Sequence, residues 1–305
     1  MMSKGNILDE IISAEELILK GHSACQGCGS VLSLRYVLKA LGRDTILVIP
    51  ASCSSVYQGL YPKVAFKVHT FNTAFASAAA VASGIKHGLI MKGSPNTNVV
   101  VWGGDGGLTD IGFATVSGAA ERNEDIIVIE YDNEAYMNTG IQRSGSTPMG
   151  ARTTTTHLGK FEPKKSISLI ALMHNVPYVA TANPAYPFDL YNKVKKAKGI
   201  KGFKLIHIFS PCPPGWRYDD SKTIEIGKLA VETGYWILWE AFNEDGKIKL
   251  EISPPSRPYL NPERRKPIEE FLKMQGRFRG MTPEMIEALK KWIDNQWDLI
   301  KKFMD

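Results

Sequence analysis

"VVVWGGDGGLTD", residues 99–110, runs from three valines and a tryptophan into a turn where four glycines surround one aspartate. The apolar run is short, β-branched and closed by glycine, which predicts a buried strand rather than a helix. Gly103, Gly104, Gly106 and Gly107 permit a tight turn and a close backbone approach to a ligand, and Asp105 is the lone carboxylate in that turn. The stretch is neither G-x-x-x-x-G-K-[ST] nor G-x-G-x-x-G. A carboxylate beside bare amides suits a hard cation shared with phosphate oxygens; a purely structural glycine turn is the plain alternative.

Outward from this turn, "TILVIPA" (45–51), "IIVIEY" (126–131) and "KLIHIF" (204–209) repeat the pattern of "NVVVWG" (98–103). Each predicts a strand buried on both faces. Helical spacing is expected over 30–41, 73–90, 111–122, 166–175, 187–198 and 222–234. Alternating strands and helices predict an α/β fold with a doubly wound, mainly parallel sheet, whose ligands sit beyond the carboxyl ends of the strands. That places the loops 50–58, 103–110, 131–157 and 210–217 at one edge.

At the amino end, a short helix is expected over about 7–18, with Ser13 capping "AEEL". Residues 240–280, with "SPPSRPYLNPERRKP", are too proline-rich for an element interior and are expected to run extended over the domain or a partner. "TPEMIEALKKWIDNQWDLIKKF" predicts a terminal helix capped by Thr282, with Pro283 at its first position and Ile286, Leu289, Ile293, Trp297 and Ile300 on one face. The organisation read here is an amino-terminal segment (1–20), a ligand-binding domain (21–238) and a carboxyl-terminal extension and helix (239–305).

The 305 residues are 44% hydrophobic and carry a net charge of +6, which gives no sign of a nucleic-acid partner. No window has the roughly 18 to 20 consecutive apolar residues of a membrane span, the start lacks a signal-peptide pattern, and the chain is read as cytoplasmic. Four cysteines are too few for a disulfide framework. Cys25 and Cys28 form a C-x-x-C pair in "GHSACQGCGS" (21–30), and Cys53 and Cys212 each follow a predicted strand. The pair alone fits a zinc ribbon, a redox disulfide or half of an iron–sulfur site.

The strand exit after "IIVIE" sharpens the reading. "YDNEAYMNTG" places Asp132 and Asn133 at a strand end, Asn133 lying 28 residues after Asp105. G-D-G followed at this distance by asparagine resembles the thiamine diphosphate motif. That resemblance implies Mg2+ held by Asp105, Asn133 and the carbonyl of Ala135, with Gly104 and Gly106 at the cofactor and Asp132 in place of the usual first asparagine. The longer stretch "EYDNEAYMNTGIQRSGSTPMGARTTTT" (130–156) resembles the beta subunit of the 2-oxoacid:ferredoxin oxidoreductases, particularly the pyruvate and branched-chain members. "PASCSSVY" (50–57), "FNTAFASAAAVASGI" (71–85), "SPCPPGWR" (210–217) and "IEEFLKMQGRF" (268–278) follow in that family's order.

The resemblance implies one [4Fe–4S] cluster on Cys25, Cys28, Cys53 and Cys212. It also implies a substrate-facing amide at Asn138, suited to a developing oxyanion, and cofactor contacts at Ser52, Cys53, Thr139 and Gly140. The implied reaction takes a 2-oxoacid, coenzyme A and oxidised ferredoxin to acyl-coenzyme A, carbon dioxide and reduced ferredoxin, with pyruvate first and 2-oxoisovalerate or oxalate as alternatives. No second thiamine-binding domain and no C-x2-C-x2-C-x3-C-P ferredoxin pattern is found in the chain. Alpha, gamma and delta partner subunits are therefore expected, and the chain alone is expected to be inactive. Two readings from other classes stand beside this one: a thiamine decarboxylase, which would not need the cysteines, and a zinc-stabilised noncatalytic binding protein. Arg143 and Gln142 are expected near cofactor or a neighbouring subunit, and Pro50 and Ser54 near the sulfur. His22 and His69 are read as ordinary, partly buried histidines before being read as cofactor contacts.

Overall fold

The computed structural model describes residues 5–244 and 246–304. Each of the four apolar runs is a strand, and two shorter strands join them: β1 (Thr45–Pro50), β2 (His69–Thr73), β3 (Asn98–Gly104), β4 (Ile127–Asp132), β5 (Tyr178–Ala182) and β6 (Lys204–Phe209). They are parallel, in the order β2-β1-β3-β4-β6-β5. β2 ("HTFNT") is a mostly exposed, polar edge strand, and β5 ("YVATA") is short and carries two alanines. Neither offers the dense Val/Ile signal that marks the others.

The connections carry α1 (Gly5–Ser13), α2 (Gly29–Leu41), α3 (Cys53–Gln58), α4 (Ala78–Met91), α5 (Phe113–Glu121), α6 (Ile167–Leu172), α7 (Pro187–Gly199), α8 (Pro213–Trp216) and α9 (Thr223–Glu232). Side chains alternate across each strand, so the sheet feeds two cores. Leu47, Ile49, Val100, Trp102, Ile127 and Ile129 pack with α1, α2 and α7. Val48, Val99, Val101, Val128, Val179 and Leu205 pack on the other face with α4, α5, α6 and α9. This two-sided burial is why the strands read as unbroken apolar runs.

Two expectations are corrected. Ser13 closes α1 instead of capping a helix over "AEEL": its hydroxyl donates to the Asp9 carbonyl at 2.7 Å. The chain then turns extended, burying Leu17 and Ile18, with Ile18 bridged to Phe66. The segment after residue 238 is not draped over the surface. β7 (Trp239–Glu244) pairs antiparallel with β5, and β8 (Lys247–Ile252) pairs antiparallel with β7, extending the sheet to eight strands. After the proline-rich turns come α10 (Ile268–Lys273) and α11 (Pro283–Lys301). Thr282 caps α11 through Met285 N–H, and Leu289, Ile293, Trp297 and Ile300 pack into the domain's own core.

Register lines up the carboxyl ends of the central strands. Gly104 lies opposite Tyr131, and Asp132 opposite Phe209. β1 leads outward to β2 while β3 starts the other half of the sheet, so the loops after β1 and β3 flank the crevice where such folds bind ligands.

Candidate active site

Three strand exits meet at this edge. Ser52 and Cys53 come from β1, Gly104, Asp105 and Gly106 from β3, and Asn133, Ala135, Asn138 and Thr139 from β4; all line one cavity. The chain leaves β3 through a π-helical turn, Gly106–Ile111, a local distortion frequent at functional sites. A Cβ on Gly106 would stand 2.6 Å from the Tyr136 ring, so only glycine lets these two loops close on each other. Gly140 turns the β4 loop at φ +117° but stands outside the cavity lining.

Asp105 is fully buried, and the Ser144 hydroxyl donates to its Oδ2 at 2.5 Å. Burial, with the nearby charges of Asp132 and Glu130, pushes its carboxyl well above the usual carboxylate range. Its other oxygen faces the Asn133 amide at 3.0 Å, and that amide also meets the Ala135 carbonyl at 3.0 Å. With nitrogen turned inward the amide donates two hydrogen bonds. With oxygen turned inward, the amide oxygen stands 3.0 Å from each of the other two oxygens, close to the about 3 Å edge of an octahedron with about 2.1 Å metal–oxygen bonds. The donor set therefore fits a small hard divalent cation, which would also let Asp105 ionise.

Behind Asn133 lies a buried charge network that the sequence reading missed. Asp132 accepts from His207 Nε2 at 2.9 Å and from Lys164 Nζ at 3.0 Å. Burial alone would raise its carboxyl, but Lys164 and His207 hold it down at about 2. Glu130 faces His207 at 3.3 Å and accepts from the Thr109 hydroxyl at 2.7 Å; burial and the Asp132 charge push it up. Glu130, Asp132 and His207 bring their ligand atoms within 4.8 Å of one another, but the Lys164 ammonium is already the cation of this cluster. The signal was "IEYDNE": carboxylates at 130, 132 and 134, in and just beyond a strand expected to be buried, where each must find a partner. The partners are 21 or more residues away and could not be read from that spacing.

An adjoining cavity is lined by Cys25, Cys28, Cys53 and Cys212, and shares Cys53, Asn133 and Asn138 with the first. The two predicted sites thus have a common wall. The Cys28 and Cys212 loops meet closely: Gly29 N–H donates to the Pro211 carbonyl at 3.0 Å, and a Cβ on Gly29 would lie 2.8 Å from it. All four cysteines are free. Burial pushes the thiols of Cys28, Cys53 and Cys212 up, Cys53 to about 12, and charge on neighbouring cysteines adds to it. Backbone amides of Ser30 and Val31 near Cys28, and of Gly215 near Cys212, act in the opposite direction and favour the thiolate. Four thiols converging on one cavity suit thiolate ligands to an iron–sulfur cluster or to a zinc ion.

Asn138 is exposed at the mouth of both cavities, and Thr139 is exposed at the first alone, its hydroxyl donating to Gln142 Oε1 at 2.6 Å. Among the described residues, the Arg143 guanidinium pairs with an exposed carboxylate, Glu162, at 3.5 Å. Pro50 accepts from the Ser52 hydroxyl at 2.8 Å, and Ser54 bonds the buried Tyr57 hydroxyl at 2.7 Å. His22 accepts from Ala24 N–H within its own turn. His69 is exposed on the edge strand rather than partly buried, because β2 lacks an outer neighbour.

The model for the "Thiamine pyrophosphate enzyme, C-terminal TPP binding domain" family matches residues 51–208. The ketoisovalerate oxidoreductase subunit VorB of Pyrococcus horikoshii is 50% identical over 304 residues, covering 96% of this chain and 95% of that one. The pyruvate synthase subunit PorB of Methanothermobacter marburgensis is 47% identical, covering 93% and 97%, and PorB of Pyrococcus horikoshii is 41% identical, covering 95% of each. A solved structure of a 2-oxoglutarate:ferredoxin oxidoreductase from Magnetococcus marinus shares the fold, with a TM-score of 0.57, 20% identity and coverage of 92% and 89%.

Proposed function

The chain belongs to the 2-oxoacid:ferredoxin oxidoreductase family, as a thiamine diphosphate-dependent oxidoreductase subunit, and from that premise we propose that it joins a Mg2+–thiamine diphosphate site to a one-cluster electron relay in an enzyme for branched-chain 2-oxoacids. The observation that carries the pairing of the two sites is their shared wall of Cys53, Asn133 and Asn138. Bound thiamine diphosphate supplies the carbanion chemistry that decarboxylates a 2-oxoacid, and a [4Fe–4S] cluster on the four cysteines supplies one-electron acceptance.

The residues of this chain do the placing. Asp105, Asn133 and the Ala135 carbonyl would hold the cation, which would offset the charge of the cofactor's diphosphate. Asn138 presents its amide where both cavities open, positioned to donate to an oxyanion. The Ser30, Val31 and Gly215 amides, near the Cys28 and Cys212 sulfurs, favour their anionic form.

A branched-chain acid such as 2-oxoisovalerate is preferred over the first-ranked pyruvate because, within Pyrococcus horikoshii, the ketoisovalerate subunit is 50% identical to this chain and the pyruvate subunit 41%. A partner chain covering the mouth is supported by the exposure of Asn138 and by Leu60 and Tyr61, 85% and 92% exposed, on the loop after α3. Alpha, gamma and delta partners, coenzyme A and ferredoxin complete the reading. The test is turnover of the assembled enzyme with 2-oxoisovalerate, pyruvate and oxalate, each with and without coenzyme A. A kcat/KM for 2-oxoisovalerate at least tenfold above that for pyruvate is expected; the reverse order returns the assignment to pyruvate, and coenzyme A-independent oxalate turnover returns it to oxalate.

A further inference from the structure

Between the two residues that offer the Asn133 amide and the Ala135 carbonyl stands Glu134, with φ +64°. This left-handed conformation is costly for a side chain of that size and persists only where the surroundings impose it. Glu134 is 1% exposed. Its carboxylate accepts from Lys164 Nζ at 2.7 Å, from the Tyr235 hydroxyl at 2.6 Å and from Arg277 at 2.6 Å. Its backbone is tied as firmly: the N–H donates to Asp132 Oδ1 at 3.0 Å, and the carbonyl accepts from the Thr147 hydroxyl at 2.7 Å.

Arg277 does a second thing. Its guanidinium lies 3.8 Å over the Trp216 ring, and Trp216 Nε1–H donates to the Asn133 carbonyl at 2.8 Å. Trp216 closes α8, the turn that begins directly after Cys212. Arg277 is itself fixed by Gln275 Oε1 at 2.9 Å, and its carbonyl accepts from Arg152 N–H at 2.8 Å. One side chain from the carboxyl-terminal segment thereby grips both the residue between the two cation donors and the turn that carries a cysteine of the adjoining cavity.

We propose that Glu134, clamped by Lys164, Tyr235 and Arg277, is a positioning residue that presets Asn133 and Ala135 for the divalent cation, and that residues 275–278 are by this route part of the cofactor site. The inference rests on the thiamine diphosphate reading above. A carboxylate with three donors cannot swing, so the flanking amide and carbonyl keep their 3.0 Å spacing before any cation arrives. Partners behind metal ligands typically govern affinity by about 10- to 100-fold.

The test titrates Mn2+ into the assembled enzyme by electron paramagnetic resonance in the presence of thiamine diphosphate, for wild type, Arg277→Lys, Arg277→Ala and Glu134→Gln, with thermal unfolding of each metal-free protein alongside. Expected is a loss of Mn2+ affinity of about 10- to 100-fold in Glu134→Gln and Arg277→Ala, and a smaller loss in Arg277→Lys, which keeps the charge but not the planar stack. If Arg277→Ala does not fold, Glu134→Gln and Arg277→Lys decide. Variants that unfold earlier yet bind Mn2+ within twofold of wild type reduce the clamp to a structural role and overturn the inference. Wild type that binds no Mn2+ overturns the thiamine diphosphate reading instead.

Discussion

Asp105→Asn separates the work of the buried carboxylate from its shape. In the metal-free protein the substitution removes a carboxyl whose ionisation is opposed by burial and by two neighbouring acids. Its folded pKa is raised, so wild-type stability falls as pH climbs from the unfolded carboxyl's value near about 4 toward the higher folded value. Asparagine has no such window, and the metal-free variant is expected to unfold no earlier than wild type at pH 7.5. With cation and cofactor the order reverses. Losing the charged member of a buried pair costs about 3–5 kcal/mol, or about 10^2- to 10^4-fold in affinity. At about 100 times its dissociation constant the cation–cofactor pair stabilises wild type by about 2.7 kcal/mol, a rise of roughly 5 °C for a chain of this size. The assay is thermal unfolding of the assembled enzyme with EDTA and then with Mg2+ and thiamine diphosphate. A variant that retains the full ligand-dependent rise refutes the assignment of Asp105 as a cation ligand.

Other expectations follow from the same geometry. Asn138→Ala is expected to lower kcat by about 10^2- to 10^3-fold while Mn2+ affinity stays unchanged, because Asn138 lines the cavities without joining the three-oxygen set; equal losses in both would move it into the cation site. Asp132, held down at about 2, contributes stability that is present above about pH 4 and lost as pH falls from there to about 2. Urea unfolding of wild type against Asp132→Asn should show a gap of about 2 kcal/mol at pH 7 that closes across this acid window. Trp297→Ala, which empties a fully buried site on α11 and orphans the Gly234 carbonyl, should cost about 3–5 kcal/mol in urea unfolding.

The parallel core was legible because Val99–Val101, Ile127–Ile129 and Leu205–Ile208 are buried on both faces and had to read as unbroken apolar runs. β8 was legible in principle, since "KIKLEI" alternates with period two, but the proline cluster after residue 252 drew the whole segment into one irregular reading. Asp105, Asn133, Cys53 and Cys212 could be placed because each follows a strand at the same sheet edge, whereas Cys25 and Cys28, which precede the first strand, were marked by their C-x-x-C spacing. Ser144, Lys164, Tyr235 and Arg277 could not: their roles depend on segments that return to the β3 and β4 exits from 30 to 143 residues away. Their types, a serine, a lysine, a tyrosine and an arginine, are unremarked in any local pattern. Glu134 was hidden for another reason, since its left-handed backbone belongs to a residue type that rarely adopts it.

The central claim is that four cysteines hold an electron acceptor directly against a thiamine diphosphate site. Iron and acid-labile sulfide analysis of the full chain purified anaerobically, with electron paramagnetic resonance after dithionite reduction, tests it most directly. Iron and sulfide are expected in equal amounts, approaching the stoichiometry of one [4Fe–4S] cluster per chain, with a reduced-cluster signal that is lost in Cys53→Ser. One zinc per chain with no acid-labile sulfide would contradict it.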